Sequence, residues 1–109
     1  MKIQFATKKL QKIMTKEKEL KKKFGDDGAR RVQSRLSQLE AADTLDDLRK
    51  LPGRCHELSG DLKNHLAVDL QHPYRLIFRP VEPVPTKKDG GLDWTRVIEV
   101  VVIDVIDYH

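Results

Sequence analysis

Residues 96–107, RVIEVVVIDVID, carry an apolar β-branched run that leaves little polar side chain for either face. Valine and isoleucine favour extended backbone and pack well on a pleated surface. A strand that is apolar on both faces belongs inside a sheet. It has helices over one side and neighbouring chain or a cleft over the other. The rest of the chain must supply those neighbours.

Upstream lies PVEPVPTKKDGGLDW, residues 80–94, whose three prolines and two glycines predict a long hairpin loop or flap. Before it, YRLIFR (74–79) puts Tyr74, Leu76 and Phe78 on one face and Arg75 on the other. HLAVDLQ (65–71) alternates Leu66, Val68 and Leu70 with polar residues, as a half-buried strand requires. His72-Pro73 turns the chain between these two strands, RCHEL (54–58) is a brief extended segment, and SGD (59–61) is a turn. At the other end, KIQFA (2–6) places Ile3 and Phe5 on one side of a short first strand.

Between that strand and Pro52 the period is helical. Thr7 caps a helix expected to reach about Phe24, burying Leu10, Ile13, Met14, Leu20 and Phe24, and Gly25 ends it. A second helix from about Asp27 buries Ala29, Val32, Leu36 and Leu39. TLDDLRKL (44–51) predicts a short third helix capped by Thr44 and stopped at Pro52-Gly53. The order β-α-α-(α)-β-β-β predicts an α+β fold: a helical hairpin packed on a twisted, mainly antiparallel sheet, in one domain spanning 1–109.

With 39% hydrophobic and 35% charged residues, the composition suits a small globular protein rather than a disordered one. No apolar stretch is long enough for a membrane span, and no secretory signal is apparent at the N-terminus. Cys55 is the one cysteine, so an internal disulfide is excluded and a reducing, cytoplasmic setting is expected. The net charge is +4, yet residues 1–25 hold nine lysines against Glu17 and Glu19, a local +7, which leaves −3 for the remainder. Lys8, Lys12 and Lys16 recur every four residues and form the expected RNA-binding ridge. A lysine-rich solvated helix face accounts for the same charge.

No H-x-H, H-E-x-x-H or C-x-x-C spacing points to a metal, and no cofactor is expected. Cys55 and His56 are adjacent, so in extended chain they point to opposite faces, and Cys55 reads as a small core residue. His65 and His72 read as surface or edge residues. His56, Arg75 and His109 are the chemistry-bearing candidates. Arginine in mid-strand is costly unless its face is open or its charge is paired. Should the strands holding these residues share a sheet, two imidazoles and a guanidinium meet the needs of RNA cleavage by its own 2′-hydroxyl. One base, one acid and one fixed cation are required.

The motifs His56-Glu57-Leu58-Ser59-Gly60-Asp61, Tyr74-Arg75-Leu76-Ile77-Phe78 and Asp107-Tyr108-His109 occur in the order seen in a known family. Together they resemble the RelE/ParE superfamily of bacterial type II toxins, and most closely the HigB-type plasmid maintenance killer proteins. Ser59 stands where HigB-type proteins often carry lysine, and the 80–94 loop is longer than the tight hairpin common in the family. The resemblance implies a ribosome-dependent mRNA endonuclease whose partners are the ribosome, mRNA and a helix-turn-helix, HigA-like antitoxin. It also places His56, Arg75, Asp107, Tyr108 and His109 at the family's functional positions. Two other readings compete: a non-enzymatic ParE-like toxin that inhibits DNA gyrase, and an inactive RNA-binding domain of the same fold.

Overall fold

Thr7 starts the helical layer. Its backbone is extended, and its hydroxyl accepts a hydrogen bond from the Leu10 N–H at 3.0 Å, satisfying one of the free donors of the first turn. In the computed structural model, which describes residues 1–107, the helix that follows is α1 (Lys8–Thr15). It stops nine residues short of the expected end. Lys16 takes extended backbone, φ −109° and ψ 118°, and α2 (Glu17–Ala41) begins directly after it. The acidic residues explain the break. Glu17 and Glu19 fall in the first turn of α2, where negative charge meets the positive end of the helix dipole. Gly25 interrupts α2 at φ 75° and ψ 176°, a backbone that a side chain would strain. The sequence break expected at Gly25 is therefore a kink within one element. Just before it, the Phe24 ring meets Tyr74 edge-on, with centroids 5.5 Å apart and planes at 75°.

The remaining strands are β1 (Lys2–Phe5), β2 (His56–Glu57), β3 (Leu66–Asp69), β4 (Tyr74–Pro80) and β5 (Glu99–Asp107). They form one sheet in the order β1-β5-β4-β3-β2, antiparallel except for the β1–β5 pair. The apolar strand β5 is thus an inner one, between β1 and β4. Helix residues Met14, Leu20, Val32 and Leu39 pack with Leu66, Val68, Leu76, Phe78, Val100 and Val102 in a single buried cluster. The helices therefore cover one face of a mostly antiparallel sheet. TLDDLRKL forms a 3₁₀ turn, Leu45–Lys50, with the Asp47 carboxylate accepting from the Asp43 and Thr44 N–H groups at 2.9 and 3.2 Å.

One irregularity matters for the site. Ile77 pairs with Asp104, but Phe78 pairs with Val102, so Ile103 is an extra residue in β5. A bulge of this kind shifts side-chain parity by one. Without it Asp104 would fall in phase with the core residues Val100 and Val102. With it, Val105 joins the core face, and Asp104 and Ile106 lie opposite Ile77 and Arg75.

Candidate active site

The approach to β2 is built from two residues in unusual backbone. Gly53 has φ 115° and Arg54 has φ 50°. The left-handed region is routine for glycine but costs a non-glycine residue about 1–2 kcal/mol. The segment is fastened to the end of β3, because the Asp69 N–H donates to the Gly53 carbonyl at 2.7 Å. Arg54 Nε then donates to Asp69 Oδ2 at 2.6 Å. On the next strand Arg75 lies directly opposite Asp69 in the register, with its Nε 3.1 Å from Oδ1. One carboxylate thus bridges two guanidinium groups.

His56 lies opposite Ala67, and Ala67 shares a face with Asp69, so His56, Asp69 and Arg75 occupy one face of three adjacent strands. The His56 Nδ1 is 2.7 Å from the Arg54 carbonyl oxygen. A carbonyl only accepts, so the hydrogen bond requires the proton on Nδ1. The neutral ring then presents Nε2 as a base. Burial works against ionisation of Asp69. The hydrogen bond and charge of Arg54, followed by the charges of Arg75 and His56, outweigh it and hold the carboxyl below its usual range. Arg54, Asp69 and Arg75 line an open cleft of about 270 Å³ together with Leu70, His72, Pro73 and Tyr74.

Beneath this face stands a buried arginine. Arg35 of α2 is 7% exposed and donates from Nε to the Asp69 carbonyl at 2.8 Å. Burial, with some help from Arg31, lowers its pKa against the opposing pull of Asp69. Its side chain runs across Gly53, where an added Cβ would stand 2.8 Å from Nε. Gly53→Ala should therefore be destabilising on two counts, backbone strain and a clash with a side chain held by its own hydrogen bond. We expect a loss of about 2–4 kcal/mol. The midpoint of thermal unfolding should fall by at least about 8 °C. A melting curve that overlays the parent would show that Arg35 yields freely.

The sequence-derived candidates fare differently. His56 and Arg75 are brought to one face. Asp107 pairs with Tyr74, on the face of Leu76 and Val105, one residue out of phase with Arg75. Tyr108 and His109 lie outside the described residues. Lys8 and Lys12 are exposed on α1, one turn apart, and Lys16 is exposed at the C-cap of the same helix, in the break before α2. Cys55 packs against the core as a free thiol, and burial pushes its pKa to about 12, which leaves it protonated and unreactive at neutral pH. Among the described residues no group of three or more His, Cys, Asp or Glu side chains gathers as a metal site, and no helix is long and apolar enough to cross a membrane.

Asp69, Arg54 and Arg35 were not among the candidates. Asp69 reads as an ordinary polar position of an alternating strand, and Arg35 as a polar residue of an amphipathic helix. The one available signal was the spacing Arg54-x-His56, which puts both residues on one side of extended chain.

Residues 3–86 match the family described as the RelE-like toxin of type II toxin–antitoxin system HigB. The matched span holds all of β1 but its first residue, and β2 through β4, with His56, Asp69 and Arg75, and leaves β5 outside. No curated protein matches the chain in sequence. Among solved structures, the chain is similar to the YoeB-YefM complex from Staphylococcus aureus, at 10% identity and a TM-score of 0.59, covering 100% of this chain and 97% of that one. It is also similar to the YoeB/ParE toxin from Agrobacterium tumefaciens, at 11% identity and a TM-score of 0.60, with both chains covered in full. At such identities the likeness is one of fold. The family assignment rests on the sequence match, and by it this chain belongs to the HigB-like, RelE-like toxins of type II toxin–antitoxin systems.

Proposed function

We propose that this toxin is an endoribonuclease that cuts mRNA on the ribosome, with the RNA's own 2′-hydroxyl as nucleophile. The observation that carries the reading is His56, with Nε2 available as a base, on the same sheet face as Arg75. The 2′-hydroxyl gives its proton to Nε2, O2′ bonds to phosphorus, and the bond from phosphorus to O5′ breaks. The departing O5′ takes a proton from His109, the acid in this scheme, so the products are a 2′,3′-cyclic phosphate and a 5′-hydroxyl. Arg75 stabilises the charge that builds on the phosphorane oxygens. Tyr108 orients the RNA by stacking or hydrogen bonding. Asp107 bonds an imidazole or the substrate.

Lys8 and Lys12, exposed on α1, add positive charge suited to ribosomal RNA. The toxin acts in the cytoplasm and is neutralised by a cognate antitoxin of the helix-turn-helix, HigA-like kind. The pairing of YoeB with YefM in the S. aureus complex supports such a partner.

Inducing the toxin in growing cells tests the reading. New 5′-hydroxyl ends should appear in translated mRNA and disappear when translation initiation is blocked, with DNA supercoiling unchanged. Loss of supercoiling without new RNA ends would replace this reading with inhibition of DNA gyrase.

A further inference from the structure

The cleft lined by Arg54, Asp69 and Arg75 holds more positive charge than one scissile phosphate needs. Both arginines meet the Asp69 carboxylate through Nε. At Arg54 the Nε hydrogen bond leaves the two terminal nitrogens out of it, and those nitrogens can still engage phosphate oxygens. Arg54 is also the more accessible of the two. Its side chain is 73% exposed, against 24% for Arg75 and for Asp69. Its backbone sits at φ 50°, where glycine would be unstrained. Non-glycine residues in such backbone cluster at ligand clamps and active sites. Three contacts hold this one in place: Arg54 Nε to Asp69, the Asp69 N–H to the Gly53 carbonyl, and His56 Nδ1 to the Arg54 carbonyl. A purely structural surface ion pair needs no such fixing.

We infer that Arg54 forms a second phosphate subsite, which grips an RNA phosphodiester next to the one held at Arg75. The inference rests on the endoribonuclease reading and extends it. Asp69 acts here as a positioning residue. It fixes both guanidinium groups by their Nε atoms and keeps their mutual repulsion from spreading them. The carbonyl that orients His56 belongs to the same residue, so gripping the flanking phosphate and aligning the base are mechanically linked.

Binding of a short single-stranded 2′-O-methyl RNA, which lacks the nucleophile and cannot be cut, tests this as a function of salt. Arg54→Gln should lower the slope of log affinity against log salt by about 0.7, the share of one phosphate contact on a single strand. Affinity at low salt should fall about tenfold or more, as loss of one charged hydrogen bond implies. Arg54→Lys should keep the slope and lose part of the affinity, since a point charge replaces the fork. Arg30→Gln, which removes an exposed arginine of α2 paired with Asp27, should leave the slope unchanged. An unchanged slope in Arg54→Gln, an equal loss in Arg30→Gln, or absence of salt-dependent binding by the parent would each overturn the subsite. If the parent cuts translated mRNA while Arg54→Gln keeps the parental slope, the subsite falls alone. If the slope drops as stated but no translated mRNA is cut, the endonuclease reading falls and the subsite stands.

Discussion

A single 2′-deoxy nucleotide on the 5′ side of the scissile phosphate should block cleavage, and His56→Ala should slow it by roughly 10²–10⁴-fold. The first result follows from the nucleophile. With the 2′-oxygen gone there is nothing to attack phosphorus, however well the chain binds. The second follows from His56 Nε2, a base whose orientation is set by the hydrogen bond of its Nδ1. His56→Ala gives up a hydrogen bond to the Arg54 carbonyl, which costs about 1 kcal/mol of stability, far less than the expected loss of activity. Activity and melting temperature should therefore part company. Removing His109 should cost a similar factor. The double variant should lose less than the product of the two, because groups that act as a unit are not additive. Products ending in a 5′-phosphate would point to attack by water and end the two-imidazole scheme. Full cleavage by His56→Ala would move the base elsewhere.

Local rules made the architecture legible, and long-range pairing concealed much of the site. The apolar run 100–103 could only be an inner strand, and it pairs with β1 on one side and β4 on the other. Arg75 stood out because a charge in mid-strand needs a partner. The partner itself was hidden, since Asp69 reaches it through strand register, six residues away across a turn. Helix periodicity overlooked the break at Lys16. Its apolar stripe continues through Leu20, and only the acids at 17 and 19 mark a new start. Strict alternation failed in β5 for a different reason. A one-residue bulge reverses parity after Ile103, keeps Asp104 out of the core and puts Asp107 out of phase with Arg75. Alternation alone does not locate a bulge. The buried Arg35 escaped notice because its cost is met by contacts from β3, which a helical wheel does not contain.

Trp94→Ala should be the most destabilising single change in the long loop, at about 3–5 kcal/mol. The 80–94 segment is expected from its sequence to be a long hairpin loop or flap, and its end is anchored. Trp94 is 4% exposed, its indole N–H donates to Glu57 Oε2 at 3.0 Å, and the Arg49 guanidinium lies 3.8 Å from its ring centroid. Neighbouring residues fix the ring's approach. Asp93 accepts from the Thr95 N–H and from Arg96 Nε at 3.1 and 2.9 Å, and Arg96 reaches the Thr86 carbonyl at 2.7 Å. The hydrogen bonds of Thr95 and then Arg96 hold the Asp93 carboxyl below its usual range, so this clasp should persist into mild acid. Glu57 is half of β2, and His56 is the other half. The anchor of the loop is thus also the outer support of the proposed base. Trp94→Phe separates the two contributions. It keeps most of the buried ring and loses the N–H, at about 1–2 kcal/mol, while the exposed Glu57 turns to water. Both variants should reduce cleavage beyond what their unfolded fraction explains, because β2 is held less firmly, and alanine should do so more than phenylalanine. If Trp94→Ala lowers stability by less than about 1 kcal/mol, the loop is a free flap after all and β2 stands without it.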